Sequence, residues 1–419
     1  MSDATGLNNS VRGLFDGIVA IFDDECEKEK SDAYLIVQYL KGLNFPVVGY
    51  SVPPLEIEKV VKNLYGASFI IFDWKYTTTA DQALKEDDET PIPTPGDSEL
   101  KKEQKDVQVN SLKNLLAATY CPIFIISQEN IDDIKNALDA AKITTEGAHP
   151  RILFCSKGDL RADRKLFDYV KDWIGNHIPV YVLKTWELAA RRSKFDVFAE
   201  LEPYKDWPRI LWRTYKKDGD DASFALSALI CRAIMHRMCF NCEFPKATFK
   251  DDASGDKVEK NSSKKIISAV RYLHYHNADA PYLPGDVFVF EDEPSCYYVN
   301  IRAACDTIRA QDAIDLYLIR CYDFNALPQD YEGLDKPVTY SGGQPYRWSK
   351  SFIIPYSIDG KTIEADFNCF STRRINKNDK RFRVGRLLPP YLTRLQQLYS
   401  SYMIREGLPA VPDELRPVE

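Results

Sequence analysis

Through the first 185 residues, short and largely apolar runs alternate with segments whose apolar residues recur every three or four positions. The runs Gly17–Phe22, Pro46–Tyr50, Ser68–Phe72, Pro122–Ile126, Arg151–Cys155 and Pro179–Leu183 read as buried strands. Between them, Ser31–Leu43, Leu55–Tyr65, Val109–Ala118, Ile131–Ala141 and Asp163–Ile174 carry the spacing of amphipathic helices. Strands that alternate with helices require crossover connections, and hence a mostly parallel sheet covered on both faces. The expected fold is a doubly wound α/β domain over residues 1–184. A stretch rich in charge and proline, within 77–107, reads as a mobile insertion.

The pattern then changes twice. Residues 185–250 read as helical, with candidates at Trp186–Leu201, Trp207–Tyr215 and Ala222–Met238, and 251–265 as a polar linker. From 266 to 419, short strands and turns dominate (Asp286–Glu291, Cys296–Ile301, Ile314–Cys321, Ser351–Pro355, Lys361–Phe367). They predict a small β-rich domain or barrel, closed by a terminal helix near Pro390–Ile404.

Composition narrows the class. The chain has 419 residues, enough for two or three domains, with 44% hydrophobic and 28% charged residues, as in a globular protein. No uninterrupted apolar run approaches the roughly 20 residues of a membrane span, and Met1–Arg12 has no apolar leader core. A cytoplasmic protein without membrane partners is the expectation. The ten cysteines are scattered and several sit in apolar runs, where a free thiol acts as a small hydrophobe.

In an open α/β sheet, functional groups collect where loops leave the carboxyl ends of the strands. The residues at those positions are Asp23-Asp24, Asp73, Ser127 and Lys157, with Lys184 after the sixth expected strand. Clustered carboxylates repel one another unless a hard cation lies among them, and Mg²⁺ suits oxygen ligands. Asp73 is then a nucleophile for phosphorus, Lys157 a cation for the transferring oxygens, and Ser127 a hydrogen-bond donor. The carbonyl of Lys75 completes a metal shell of Asp23, Asp24 and Asp73.

This set resembles the receiver domain of two-component response regulators: an acidic pair after the first strand, a phosphoacceptor Asp after the third, Ser or Thr after the fourth, and Lys after the fifth. The chain departs from that pattern in the insertion after Asp73 and in Gly158, where the family has proline. Lys184 is therefore a rival to Lys157 for the lysine role. The wider chain, through VLKTWE (Val182–Glu187), WPRILWRTY (Trp207–Tyr215), LPGDVF (Leu283–Phe288), YYVNIRAACD (Tyr297–Asp306) and Gly385–Pro409, is similar to a divergent receiver family of bacterial conflict and antiphage systems, as in Detocs-like phosphorelays. That resemblance implies a partner histidine kinase, a role in phage defence and a downstream effector protein.

Rival chemistries fare less well. Cys239 and Cys242 with His236 form half of a zinc site, with His274 and His276 as distant completions; ordinary thiols are the simpler reading. Asp73-Trp74-Lys75 below Glu56 and Glu58 imitates a nuclease motif, but a helical pattern separates the acids. No GxxxxGK phosphate loop is present. The basic stretch Arg373–Arg386, with Phe370 and Phe382 interleaved, is where nucleic acid would bind if it binds at all. A receiver shape that docks a partner without being phosphorylated is the remaining alternative.

Overall fold

The computed structural model describes residues 12–50, 60, 63–64, 66–74, 97–158, 166–217, 222–244, 260–274, 281–309, 312–324, 351–376, 379 and 381–404. The chain divides into two compact units, one of residues 1–203 with 231–251 and the other of 204–230 with 252–419.

The first unit is built on five parallel strands: β1 (Ile18–Phe22), β2 (Val47–Tyr50), β3 (Ala67–Asp73), β4 (Ile123–Ser127) and β5 (Ile152–Ser156), in the order β2-β1-β3-β4-β5. Burial on both faces explains why the central strands read as continuous apolar runs rather than alternating ones. Side chains pointing one way (Val19, Ile21, Phe69, Ile71, Phe124, Ile126) meet helices α1 (Asp32–Gly42) and α4 (Leu166–Asn176) through Val37, Leu40, Val170 and Trp173. Those pointing the other way (Ala20, Phe22, Ile70, Phe72, Ile123, Ile125) meet α2 (Asp97–Ala118) and α3 (Ile131–Ala140) through Leu112, Leu115, Ile134 and Leu138. Two apolar layers therefore sandwich the sheet. Because β1 is flanked by β2 and β3, consecutive connections run in opposite directions from it. The carboxyl ends of β1 and β3 border the switch point where such sheets open a crevice.

Two expectations for this unit are corrected. Pro179–Leu183 is not a sixth strand but the first turns of α5 (Ile178–Leu201). Pro179 stands in the first turn, where its missing N–H costs nothing, and the buried residues Val180, Lys184, Ala189, Ser193 and Val197 recur at helical spacing. The insertion is shorter than 77–107, since α2 starts at Asp97; residues 75–96 lie outside the described residues. The helix expected at Leu55–Tyr65 also falls outside them, apart from Val60, Asn63 and Leu64.

Helices α6 (Trp207–Lys217) and α7 (Ala222–Asn241) follow. Allowing for its scattered polar residues, α7 is long and apolar enough to cross a membrane, a test that the uninterrupted runs fail.

The second unit contains a seven-stranded antiparallel sheet of β6 (Tyr272–His274), β7 (Asp286–Phe288), β8 (Tyr297–Asn300), β9 (Ala313–Phe324), β10 (Ser351–Ile354), β11 (Thr362–Asn376) and β12 (Arg383–Leu387). Its order, β10-β11-β9-β8-β7-β12-β6, leaves two end strands, so the sheet is open among the described residues. Helices α8 (Lys260–Arg271), α9 (Ala304–Arg309) and α10 (Tyr391–Met403) accompany the sheet. Leu392, Leu395 and Tyr399 of α10 cover Val299, Ile319 and Ile363 in the core. The expected linker 251–265 ends early, because α8 begins at Lys260.

Among the described residues, much of the basic stretch is strand. Arg373 and Arg374 lie on β11, and Arg383 and Arg386 on β12. Asp286 is fully buried and receives Arg383 Nη1 at 3.2 Å and Arg386 Nε at 2.7 Å. Arg373 pairs with Asp292 and Arg381 with Asp379, so carboxylates engage four of the arginines proposed for nucleic acid. Lys377 and Lys380 lie outside the described residues. Arg383→Ala strands part of a buried charge, and is expected to cost the β unit about 3–5 kcal/mol in urea unfolding. An unchanged midpoint contradicts this assignment.

Candidate metal and phosphoryl site

β1 ends at Phe22, so Asp23 and Asp24 stand just beyond its carboxyl end. The Glu25 N–H donates to Asp23 Oδ1 at 2.8 Å, which fixes the carboxylate over the strand end. Asp73 is the last residue of β3 and pairs in register with Ile126, one residue before Ser127 on β4. Ser127 in turn stands level with Ser156, and Lys157 follows it in helical backbone directly after β5. Parallel register thus delivers all four stretches to the same edge of the sheet.

At that edge Lys157 Nζ lies 3.0 Å from Asp23 Oδ2 and 2.9 Å from Asp73 Oδ2. All three side chains are nearly inaccessible, at 7%, 4% and 5% exposure. Asp24 is half-buried beside them, and one carboxylate oxygen from each of Asp23, Asp24 and Asp73 lies within 4.8 Å of the others. The Ser127 hydroxyl, fully buried, accepts the Glu129 N–H at 3.1 Å and keeps its own hydrogen for another acceptor.

Burial raises the Asp23 pKa, against the Lys157 charge and the Glu25 N–H that favour ionisation. Burial also opposes the Lys157 ammonium, but the charges of Asp73 and Asp23 outweigh it and hold its pKa above the ordinary lysine value. The lysine is a fixed cation. Three carboxylates against one ammonium leave a formal charge of −2, which one divalent cation cancels. The donor set is all oxygen, as Mg²⁺ prefers, and no thiol or imidazole joins it among the described residues. The residues therefore fit a hard divalent ion.

No family model, curated protein or solved structure matches the chain. The site is therefore read from its own geometry.

Two sequence-predicted residues fall elsewhere. Lys184 is on α5, 1% exposed, and donates to the Ser68 carbonyl at 2.9 Å and to Glu187 Oε2 at 2.7 Å. Ser68 lies five residues before Asp73 on the same strand, roughly 16 Å away at strand rise. Lys184 thus closes the opposite end of the sheet, and the choice between the two lysines falls to Lys157. Lys75 lies outside the described residues. The zinc candidates do not assemble among the described residues: Cys239 is exposed, Cys242 partly so, and no third thiol or imidazole groups with them; His276 lies outside that set.

Sequence reasoning missed Asp32 and Gln128. Asp32, at the N-terminus of α1 beside its cap Ser31, is buried, and Gln128 Nε2 donates to its Oδ2 at 3.1 Å. This bond ties the loop after Ser127 to α1; in sequence alone Asp32 is indistinguishable from an ordinary first-turn acid. Cys26 was also passed over. It is buried close to Asp23, and burial, with the Asp23 charge, pushes its thiol up to about 12. At a pH of about 8.5, where an ordinary thiol is half ionised, Cys26 stays protonated. Iodoacetamide is expected to modify the exposed Cys231 and Cys239 in the native protein while sparing Cys26, as read by peptide mass spectrometry. Equal labelling contradicts the buried, acid-flanked setting.

Proposed function

We propose that the α/β unit is a receiver-type signalling domain in which Asp73 accepts a phosphoryl group from a phosphohistidine of a partner kinase. The observation that carries this reading is Lys157 bridging Asp23 and Asp73 beside a third carboxylate at one strand edge. The strand order supports it, being one of the common doubly wound orders, with the acids flanking the switch point.

Asp23, Asp24 and Asp73 are the residues that would hold Mg²⁺. When bound, the ion would supply positive charge to the phosphoryl oxygens. An Asp73 carboxylate oxygen forms the new bond to phosphorus while the phosphorus–nitrogen bond of the donor breaks. The imidazole leaves with the electron pair and takes a proton from solvent, and the product is an acyl phosphate on Asp73. Lys157, 2.9 Å from the nucleophile, is placed to follow the charge onto the transferred oxygens, and the Ser127 hydroxyl can donate to one of them.

In this reading the protein is cytoplasmic, its kinase belongs to the same system, and its β-rich unit passes the signal to an effector protein or stores it. The resemblance to receivers of bacterial conflict systems supports a role in antiphage defence.

One observation favours a second reading. Lys157 already engages two of the carboxylates, so the cluster is partly compensated without an ion, as expected of a receiver shape that only docks partners. Incubation with Mg²⁺ and a small phosphodonor separates the two. The first reading gives an acid-stable, base-labile phosphate on the Asp73 peptide. The second gives none.

A further inference from the structure

We propose that α6 is an in-plane membrane anchor, which seats the protein on a bilayer surface rich in anionic phospholipid. In α6 (WPRILWRTYKK) the apolar residues Trp207, Ile210, Leu211 and Tyr215 share one face, with Trp212 at its border. Arg209, Arg213 and Lys216 share the opposite face. No acidic residue interrupts the helix. Trp207, Leu211 and Tyr215 are half-buried, while Ile210 and Trp212, toward the two edges of the apolar face, are 59% and 44% exposed. A strongly two-sided helix of modest net hydrophobicity, with Trp and Ile opposite Arg and Lys, has the composition of an interfacial helix rather than of a core helix. Its 11 residues span about 16 Å, too short to cross a bilayer but suited to lying in its surface.

Charge decides between occupants. A nucleic acid would satisfy the arginines and leave Ile210 and Trp212 in water. A second copy packed on the apolar face would leave the cations on the opposite face without an anionic partner. An anionic lipid surface takes the rings and aliphatic chain into the headgroup boundary and the cations onto phosphate. Arg209 does pair with Asp206 at 3.4 Å, but both side chains are well exposed, and such a pair exchanges readily for phosphate.

Helix α7 extends the same character. It has 20 residues, is long and apolar enough to cross a membrane, and exposes Phe240 at 90%. Arg237 of α7 pairs with Glu200 of α5, and Asn241 donates to Ser193, so its C-terminal half is held on the α/β unit.

The inference is independent of the phosphoryl reading and is tested without it. The full chain is floated with vesicles of phosphatidylcholine alone, or of phosphatidylcholine with phosphatidylglycerol, at low and high salt. Flotation with the anionic vesicles is expected to exceed that with neutral ones by about tenfold and to fall at high salt. The double variants Ile210→Glu/Trp212→Glu and Arg209→Glu/Arg213→Glu are each expected to abolish flotation. Because these side chains are exposed, both should keep the wild-type circular dichroism and elution volume. Absence of flotation at either composition, or unchanged flotation of both variants, overturns the proposal. So does a concentration-dependent dimer that Ile210→Glu/Trp212→Glu dissociates without any vesicle binding, which assigns the face to a second copy.

Discussion

Lys157→Ala is expected to destabilise the α/β unit by about 3–5 kcal/mol in the absence of divalent ions, the usual cost of stranding one side of a buried ion pair. The ammonium neutralises Asp23 and Asp73 at about 3 Å, in a site where none of the three is more than 7% exposed. Without it the strand edge carries only carboxylates. Two further readouts separate this electrostatic account from simple loss of packing. Burial already raises the Asp23 pKa, and without the lysine the folded state binds protons more readily still. A carboxyl group raised in the folded state favours folding at acid pH and loses that stability as pH rises. The deficit of the variant should therefore shrink on acidification toward the raised carboxyl value. It should also shrink with millimolar Mg²⁺, which replaces the missing charge and binds only the folded site. A constant deficit across pH and Mg²⁺ would mean that the lysine stem, not its charge, supports the fold.

Asp73→Asn is expected to abolish phosphoryl labelling altogether, because an amide nitrogen or oxygen does not form the acyl phosphate. The substitution is nearly isosteric and leaves β3 intact, so loss of labelling reports chemistry rather than unfolding. Lys157→Ala, assayed where it remains folded, should slow labelling by about 10²–10³-fold, as when one preorganised cationic or hydrogen-bonding group is removed from a developing charge. Lys184→Ala should leave the labelling chemistry of the folded protein intact, because its ammonium is committed to Ser68 and Glu187 at the far end of the sheet. Labelling that survives Asp73→Asn would place the acceptor elsewhere.

Much of the α/β unit was legible because burial on both sheet faces writes itself as unbroken apolar runs, and an acid directly after such a run has few places to go but the strand end. Asp73 after FIIF and Lys157 after ILFCS were readable in this way. What failed did so for identifiable reasons. The run PVYVL imitates a strand because Val and Tyr favour sheets, whereas its helical state depends on a first-turn proline and on the burial of Lys184 and Ala189 farther along. The strand β12 was unreadable because its pattern is inverted: Arg383 points inward to the buried Asp286, while Val384 is exposed. Only a partner more than ninety residues away explains it, and no local window contains that partner. Asp32 and Gln128 were missed for the same reason, their bond joining residues 96 positions apart.

The most direct test of the account is the position of a bound ion. Crystals of the full chain grown or soaked with Mn²⁺ should give an anomalous peak between the carboxylates of Asp23, Asp24 and Asp73, at oxygen distances near the roughly 2.0–2.2 Å of a hard divalent centre. The peak should vanish in Asp23→Asn/Asp73→Asn. An empty cluster at saturating Mn²⁺, with Lys157 still bridging Asp23 and Asp73, would contradict the metal-dependent phosphoacceptor and leave a receiver shape that serves only to dock.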